Sequence, residues 1–94
     1  MLLEIYYLIR SKADGRYLAA RPNEDDVSTF VLVFRENFDA LSYLNAHASD
    51  LADRLSVESI SGTQLKTILQ RWGFNGVGMV SDPLLPTIDF LIQS

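Results

Sequence analysis

The chain has 94 residues, 48% of them apolar, a formal net charge of −4 and no cysteine. That is enough for one domain (residues 1–94) with one core, burying roughly 60–70% of the unfolded surface, and it stands above the disordered class. Missing thiols exclude disulfides, thiolate metal sites and thiol catalysis and fit a cytoplasmic protein, while the acidic balance, with only Lys12 and Lys66 as lysines and six scattered arginines, argues against nucleic acid as a partner.

The opening M-L-L-E-I-Y-Y-L-I is apolar but interrupted by Glu4. It is too short for a membrane span, which needs ~20 residues, and lacks the basic start of a secretory signal. Leu3, Ile5, Tyr7 and Ile9 alternate with Glu4, Tyr6, Leu8 and Arg10. This period of two predicts a strand with both faces at least partly covered. Asp14-Gly15 supplies the positive φ of a tight hairpin, so the chain is expected to return antiparallel over 16–21. Residues 22–28 (P-N-E-D-D-V-S) read as a polar, acidic, mobile loop. The T-F-V-L-V-F run over 29–34 is almost continuously apolar and predicts a central strand.

Asn37 is a suitable N-cap for the next helix, with Phe38, Leu41, Leu44 and Ala48 as its apolar stripe and Tyr43 and His47 nearby. Ser49 is expected to cap a short turn over 50–55, with Asp50 and Arg54 paired at i, i+4. Residues 55–60 read as a strand. In S-G-T-Q-L-K-T-I-L-Q-R-W-G-F, residues 61–74, Leu65, Ile68, Leu69 and Trp72 share one helical face. Ser61 and Gln64 have capping-box spacing, Gly73 stands where a left-handed C-cap belongs, and Phe74 can fold back on it. Residues 77–80 predict a short strand in which Gly78 marks a bulge or close backbone packing. Asp82-Pro83-Leu84-Leu85-Pro86 is a loop. Residues 87–93 are a last strand, with Ile88, Phe90 and Ile92 on one face.

The order is therefore β-β-β-α-β-α-β-β, and the class is α+β. The expected architecture is a single compact domain, a mixed or antiparallel sheet with two main helices packed on one face. Helices on both faces are the alternative that the 30–34 run leaves open.

The hairpin R-S-K-A-D-G-R-Y-L-A-A, the run V-L-V-F-R-E-N-F-D-A-L-S-Y-L, the block G-T-Q-L-K-T-I-L-Q-R-W-G-F and the ending G-V-G-M-V-S-D-P-L-L-P together resemble a small uncharacterised cyanobacterial protein family, over nearly the whole chain. The middle of the chain is also similar, in element order and apolar spacing, to SseB-like domains. Neither resemblance implies a catalytic residue or a cofactor.

The candidate sites read as structural. His47 is the only histidine. It lies late in a helix, where the dipole favours its cation, and with Asp50 and Asp53 it falls short of a metal-ligand set. No nucleophile elbow is present, and Gly76-Val77-Gly78 is too short for a dinucleotide loop. Ser61-Gly62-Thr63 is better read as a cap than as a phosphate cradle. Glu24-Asp25-Asp26 lacks the ligand pattern of a calcium loop. Trp72 and Tyr43 belong in or beside core stripes.

With helices on one face only, Tyr6 and Leu8 would be left exposed on the first strand as a partner surface. The expected function is a non-enzymatic protein–protein interaction or assembly module without cofactor or metal. Its expected partners are a second copy, as a homodimer, another protein, or both, with no nucleic acid and no membrane. The alternative is a small hydrolase or ligand-binding domain using Asp82 or Asp89.

Overall fold

The computed structural model describes residues 4–22, 27–85 and 87–92. The elements are β1 (Ile5–Ser11), β2 (Ala19–Ala20), β3 (Phe30–Val33), α1 (Asn37–His47), a 3-10 segment (Ser49–Arg54), β4 (Leu55–Ser61), α2 (Gly62–Trp72), β5 (Gly76–Asp82) and β6 (Thr87–Ile92). Their order and α+β class are those read from the sequence. The acidic run Glu24-Asp25-Asp26 lies outside the described residues.

β1 pairs antiparallel with β4, while β2, β3, β5 and β6 form a second sheet in which β3 and β5 run parallel. The two sheets are stitched into one layer. Tyr7 and Phe34 exchange both backbone hydrogen bonds at 2.9 Å. Further along, the Leu18 N–H donates to the Ile9 carbonyl at 2.8 Å, and the Leu18 carbonyl accepts from the Leu32 N–H at 3.0 Å. The return of the Asp14-Gly15 hairpin is thus wedged between β1 and β3. Gly15 sits at φ 73°, the left-handed turn that the Asp-Gly pair requires.

The sheet is covered on both faces, which overturns the expected one-sided packing. Leu8, Val31, Val33 and Ile60 meet Leu65 and Leu69 of α2 on one side. Ile9, Leu32, Phe34 and Val80 meet Ala40 and Leu44 of α1 on the other. The cause is the strand period. All four residues of β3 are buried, and neighbours along a strand point to opposite faces, so each face needs its own cover. Each fully buried aliphatic or aromatic side chain contributes about 1.5–3 kcal/mol relative to exposure.

Glycine lets β6 close on β5. A Cβ on Gly76 would overlap the Leu91 carbonyl, and one on Gly78 would stand 3.1 Å from Ile88 Cγ2 and from Leu32 Cδ2. Close packing is therefore the reason for Gly78, and the register shift falls later, between Val80 and Asp82.

α2 forms as its sequence dictates. The Gln64 N–H donates to Ser61 Oγ at 3.2 Å, the Ser61 N–H donates to Gln64 Oε1 at 2.8 Å, and Gly73 ends the helix at φ 72°. α1 departs from expectation. Glu36, not Asn37, holds the N-cap position, and it makes no side-chain cap bond. Ala40 and Leu44 are the buried residues, whereas Phe38 is 64% and Leu41 45% exposed. Apolar side chains on more than one side of α1 obscure its inner face, and Ala40 is too small to stand out as core. Asp50 and Arg54 form no ion pair, because the intervening segment is a 3-10 helix, in which positions i and i+3 stack rather than i and i+4.

Candidate functional site

Tyr6 and Leu8, the expected interface pair, lie under α2. Leu8 is fully buried and Tyr6 half-buried, both packed with the Leu65–Leu69 cluster. The expectation of an exposed patch there fails because α2 covers that face of β1. The Tyr6 hydroxyl is pushed above the ordinary tyrosine range by burial first and by the neighbouring negative charge of Glu4 second. Beside it opens a cleft of about 340 Å³ lined by Glu4, Ile5, Tyr6, Arg35, Glu36 and Met79.

A second cleft, of about 300 Å³, lies on the same face of the sheet, between α2 and β4. Ile60 and Ile68 supply apolar surface, Thr63 and Thr67 line the helix side, and Glu58 and Tyr17 stand at its polar end. Here the fold assembles a network from three distant segments. Arg10 Nη1 donates to Glu58 Oε2 at 3.1 Å, and the Tyr17 hydroxyl donates to Glu58 Oε1 at 2.9 Å. The Arg10 guanidinium lies 4.9 Å from the Tyr17 ring centroid, and its Nε donates to the Gly15 carbonyl at 2.8 Å. The edge of Trp72 completes the stack, 5.4 Å from Tyr17 at 78°. Burial first, and then the bond to Glu58, raise the Tyr17 hydroxyl above its ordinary range.

Both Glu58 oxygens are engaged and its charge is balanced by Arg10. That arrangement orients side chains and does not leave a free base. The pair is more than one-third exposed on each side, so its own contribution to stability is small.

The other candidates take structural places. His47 Nε2 is 2.9 Å from the Pro83 carbonyl, which ties the end of α1 to the β5–β6 turn, and its ring lies 4.9 Å from that of Tyr43. Among the described residues no group of three or more His, Asp or Glu is gathered for a metal ion. Ser61 is engaged as a cap. Asp82 Oδ1 accepts from the N–H groups of Leu84 at 3.0 Å and Leu85 at 3.3 Å, and Asp89 is exposed on β6. Neither Asp82 nor Asp89 lines the two clefts described above. Trp72 is 41% exposed, and Tyr43 is half-buried against Phe34 at 5.4 Å.

Large exposed apolar groups stand at Ile5 and Val27, on α1 at Phe38 and Leu41, at the β5–β6 turn at Leu84 and Leu85, and in a row on β6. On β6, Phe90 is 38%, Leu91 54% and Ile92 78% exposed. β6 pairs only with β5 among the described residues. Period-two spacing made this strand legible in the sequence, but not that it would sit at an edge with its outer surface uncovered. The Arg10–Tyr17–Glu58 network was not legible at all, because partners 41 and 48 residues apart leave no spacing signal. No helix among the described residues is long and apolar enough to cross a membrane. No protein-family model, curated protein or solved structure matches the chain.

Proposed function

We propose that this domain is a non-enzymatic assembly module that binds protein, first of all a second copy of itself. The observation that carries the reading is β6, an edge strand with Phe90, Leu91 and Ile92 exposed across both of its faces. An edge strand offers unpaired backbone groups, and an apolar one is costly to leave in water. Pairing two copies of β6 about a two-fold axis satisfies both at once, since a symmetric dimer uses one patch twice. The proposed partner surface is on β6 and not at Tyr6 and Leu8, which α2 covers. The engagement of Glu58 and Asp82 as acceptors supports a binding role over a hydrolytic one.

Sedimentation equilibrium at tens of micromolar tests this. The expected result is a dimer mass for the chain and a monomer mass for Leu91→Lys and Ile92→Lys. A clean monomer for the unmodified chain, or a dimer unchanged in both variants, overturns self-association through β6. Leu8→Asp is not a usable control, since it places a charge at a fully buried position.

A further inference from the structure

We infer that the free edge of β4 and the cleft beside it form a docking site for an extended peptide, independent of any pairing through β6. The direction of the backbone groups along β1 decides which groups of β4 are open. Tyr7 exchanges its bonds with Phe34, the Ile9 carbonyl accepts from Leu18, and the Ser11 N–H donates to Arg16. The odd-numbered residues of β1 therefore address the β2–β3 side, and Tyr6, Leu8 and Arg10 address β4. In the antiparallel register their partners are Ile60, Glu58 and Ser56. The ladder continues at both ends, with Lys12 N–H to the Arg54 carbonyl and Gly62 N–H to the Glu4 carbonyl.

The odd-numbered residues of β4 consequently point outward. The Leu55 N–H is spent on the Ala52 carbonyl, and the Ser61 N–H on Gln64 Oε1. Between these two closed ends, the N–H and C=O groups of Val57 and Ser59 meet no partner among the described residues. Ser59 is exposed. Donor and acceptor alternate there at strand spacing, which is the complement of another polypeptide backbone and of no small ion or lipid.

The cleft supplies the side-chain half of such a site. A residue of an added strand lying opposite Glu58 projects on the α2 side, as Glu58 does. It meets Ile60 and Ile68 below, Thr63 and Thr67 at the side, and Glu58 at the end. A leucine-sized aliphatic group matches that lining, and a charged group would lose its hydration against Ile60 and Ile68. The occupant is therefore an extended segment of another protein with an aliphatic residue at its centre and small β-formers around it.

The probe is a pair of fluorescent heptapeptides, Thr-Val-Thr-X-Thr-Val-Thr with X either Leu or Glu, added to the Ile92→Lys chain so that β6 pairing does not intervene. The Leu peptide is expected to bind about tenfold or more tightly than the Glu peptide. Hydrogen exchange is expected to slow at the Val57 and Ser59 amides and to stay unchanged at Glu58 and Ile60, which β1 already protects. Ser59→Pro removes one outward N–H without touching the β1 ladder, a position where an edge strand accepts proline, and should weaken binding about tenfold. Thr67→Arg fills the cleft from the helix and should do the same with β4 intact, so it decides the matter if Ser59→Pro does not fold. Absence of binding, equal affinity for the two peptides, or protection appearing away from Val57 and Ser59 overturns the site. So does a doubled mass of the Ile92→Lys chain that Ser59→Pro abolishes, which would give this edge to a second copy instead.

Discussion

α1 and α2 are both eleven residues long and cover opposite faces of one sheet, yet they are built on different terms. α2 starts at a reciprocal Ser61–Gln64 cap, buries Leu65 and Leu69, and stops at a left-handed glycine. Lys66, Gln70 and Arg71 are exposed, while Thr63 and Thr67 line the cleft toward β4. α1 starts at an uncapped Glu36, buries Ala40 and Leu44, and leaves Phe38 and Leu41 in water. A capped helix with one apolar stripe carries its own instructions for orientation. A helix with apolar groups on several sides is oriented by what it packs against, and its surplus apolar groups become surface. The same division runs through the sheet. Among the described residues, β4 presents a polar edge beside a cleft, and β6 an apolar edge without cover.

Leucine truncation should separate the two helices most strongly. Leu69→Ala in α2 and Leu44→Ala in α1 should each cost on the order of 2–5 kcal/mol, since both are buried. Leu41→Ala, three positions before Leu44, should cost less than about 0.5 kcal/mol. Denaturant melts of the three variants give the answer. A loss at Leu41 equal to that at Leu44 would mean that α1 sits in a different phase.

A smaller effect is expected at the helix starts. Ser61→Ala should cost about 1 kcal/mol, because the Gln64 N–H loses its acceptor. Glu36→Asp should instead stabilise α1 by a few tenths to about 1 kcal/mol, since it places a competent cap where none acts. Thermal melts that rank the two substitutions the other way would erase the distinction between the helices.

The smallest effect concerns the Tyr17 contact with the end of α2. Its pKa is raised in the fold by burial and by Glu58, so folding favours the protonated phenol. The contribution to stability is complete below the ordinary tyrosine value of about 10 and is lost as the pH rises through the folded value. Absorbance titration should show two phenols, Tyr6 and Tyr17, ionising later than free tyrosine, and only one in Tyr17→Phe. Stability should fall less steeply above pH ~10 in that variant than in the unmodified chain. Equal slopes would show that the Tyr17–Glu58 bond does not persist in solution.

The sequence by itself determined the elements whose signals are local. The strand period of residues 3–10, the Asp14-Gly15 turn, the apolar run of β3, and the caps and Leu65–Leu69 stripe of α2 all follow from neighbours within a few positions, where sterics and backbone hydrogen bonding act directly; Trp72, at the end of the same stripe, is nevertheless 41% exposed. So did the α+β class and the element order. The inner face of α1 was not local information: Phe38 and Leu41 are as apolar as Leu44, and only the shape of the sheet beneath selects Ala40 and Leu44. The placement of one helix on each face, which buries Leu8 and empties the expected patch, depended on how two crossovers wrapped the sheet. The outward groups of Val57 and Ser59, the Arg10–Tyr17–Glu58 network and the bare edge of β6 arise from strand order. Strand order is set by the summed packing of residues far apart in the chain, and no short stretch of sequence encodes it.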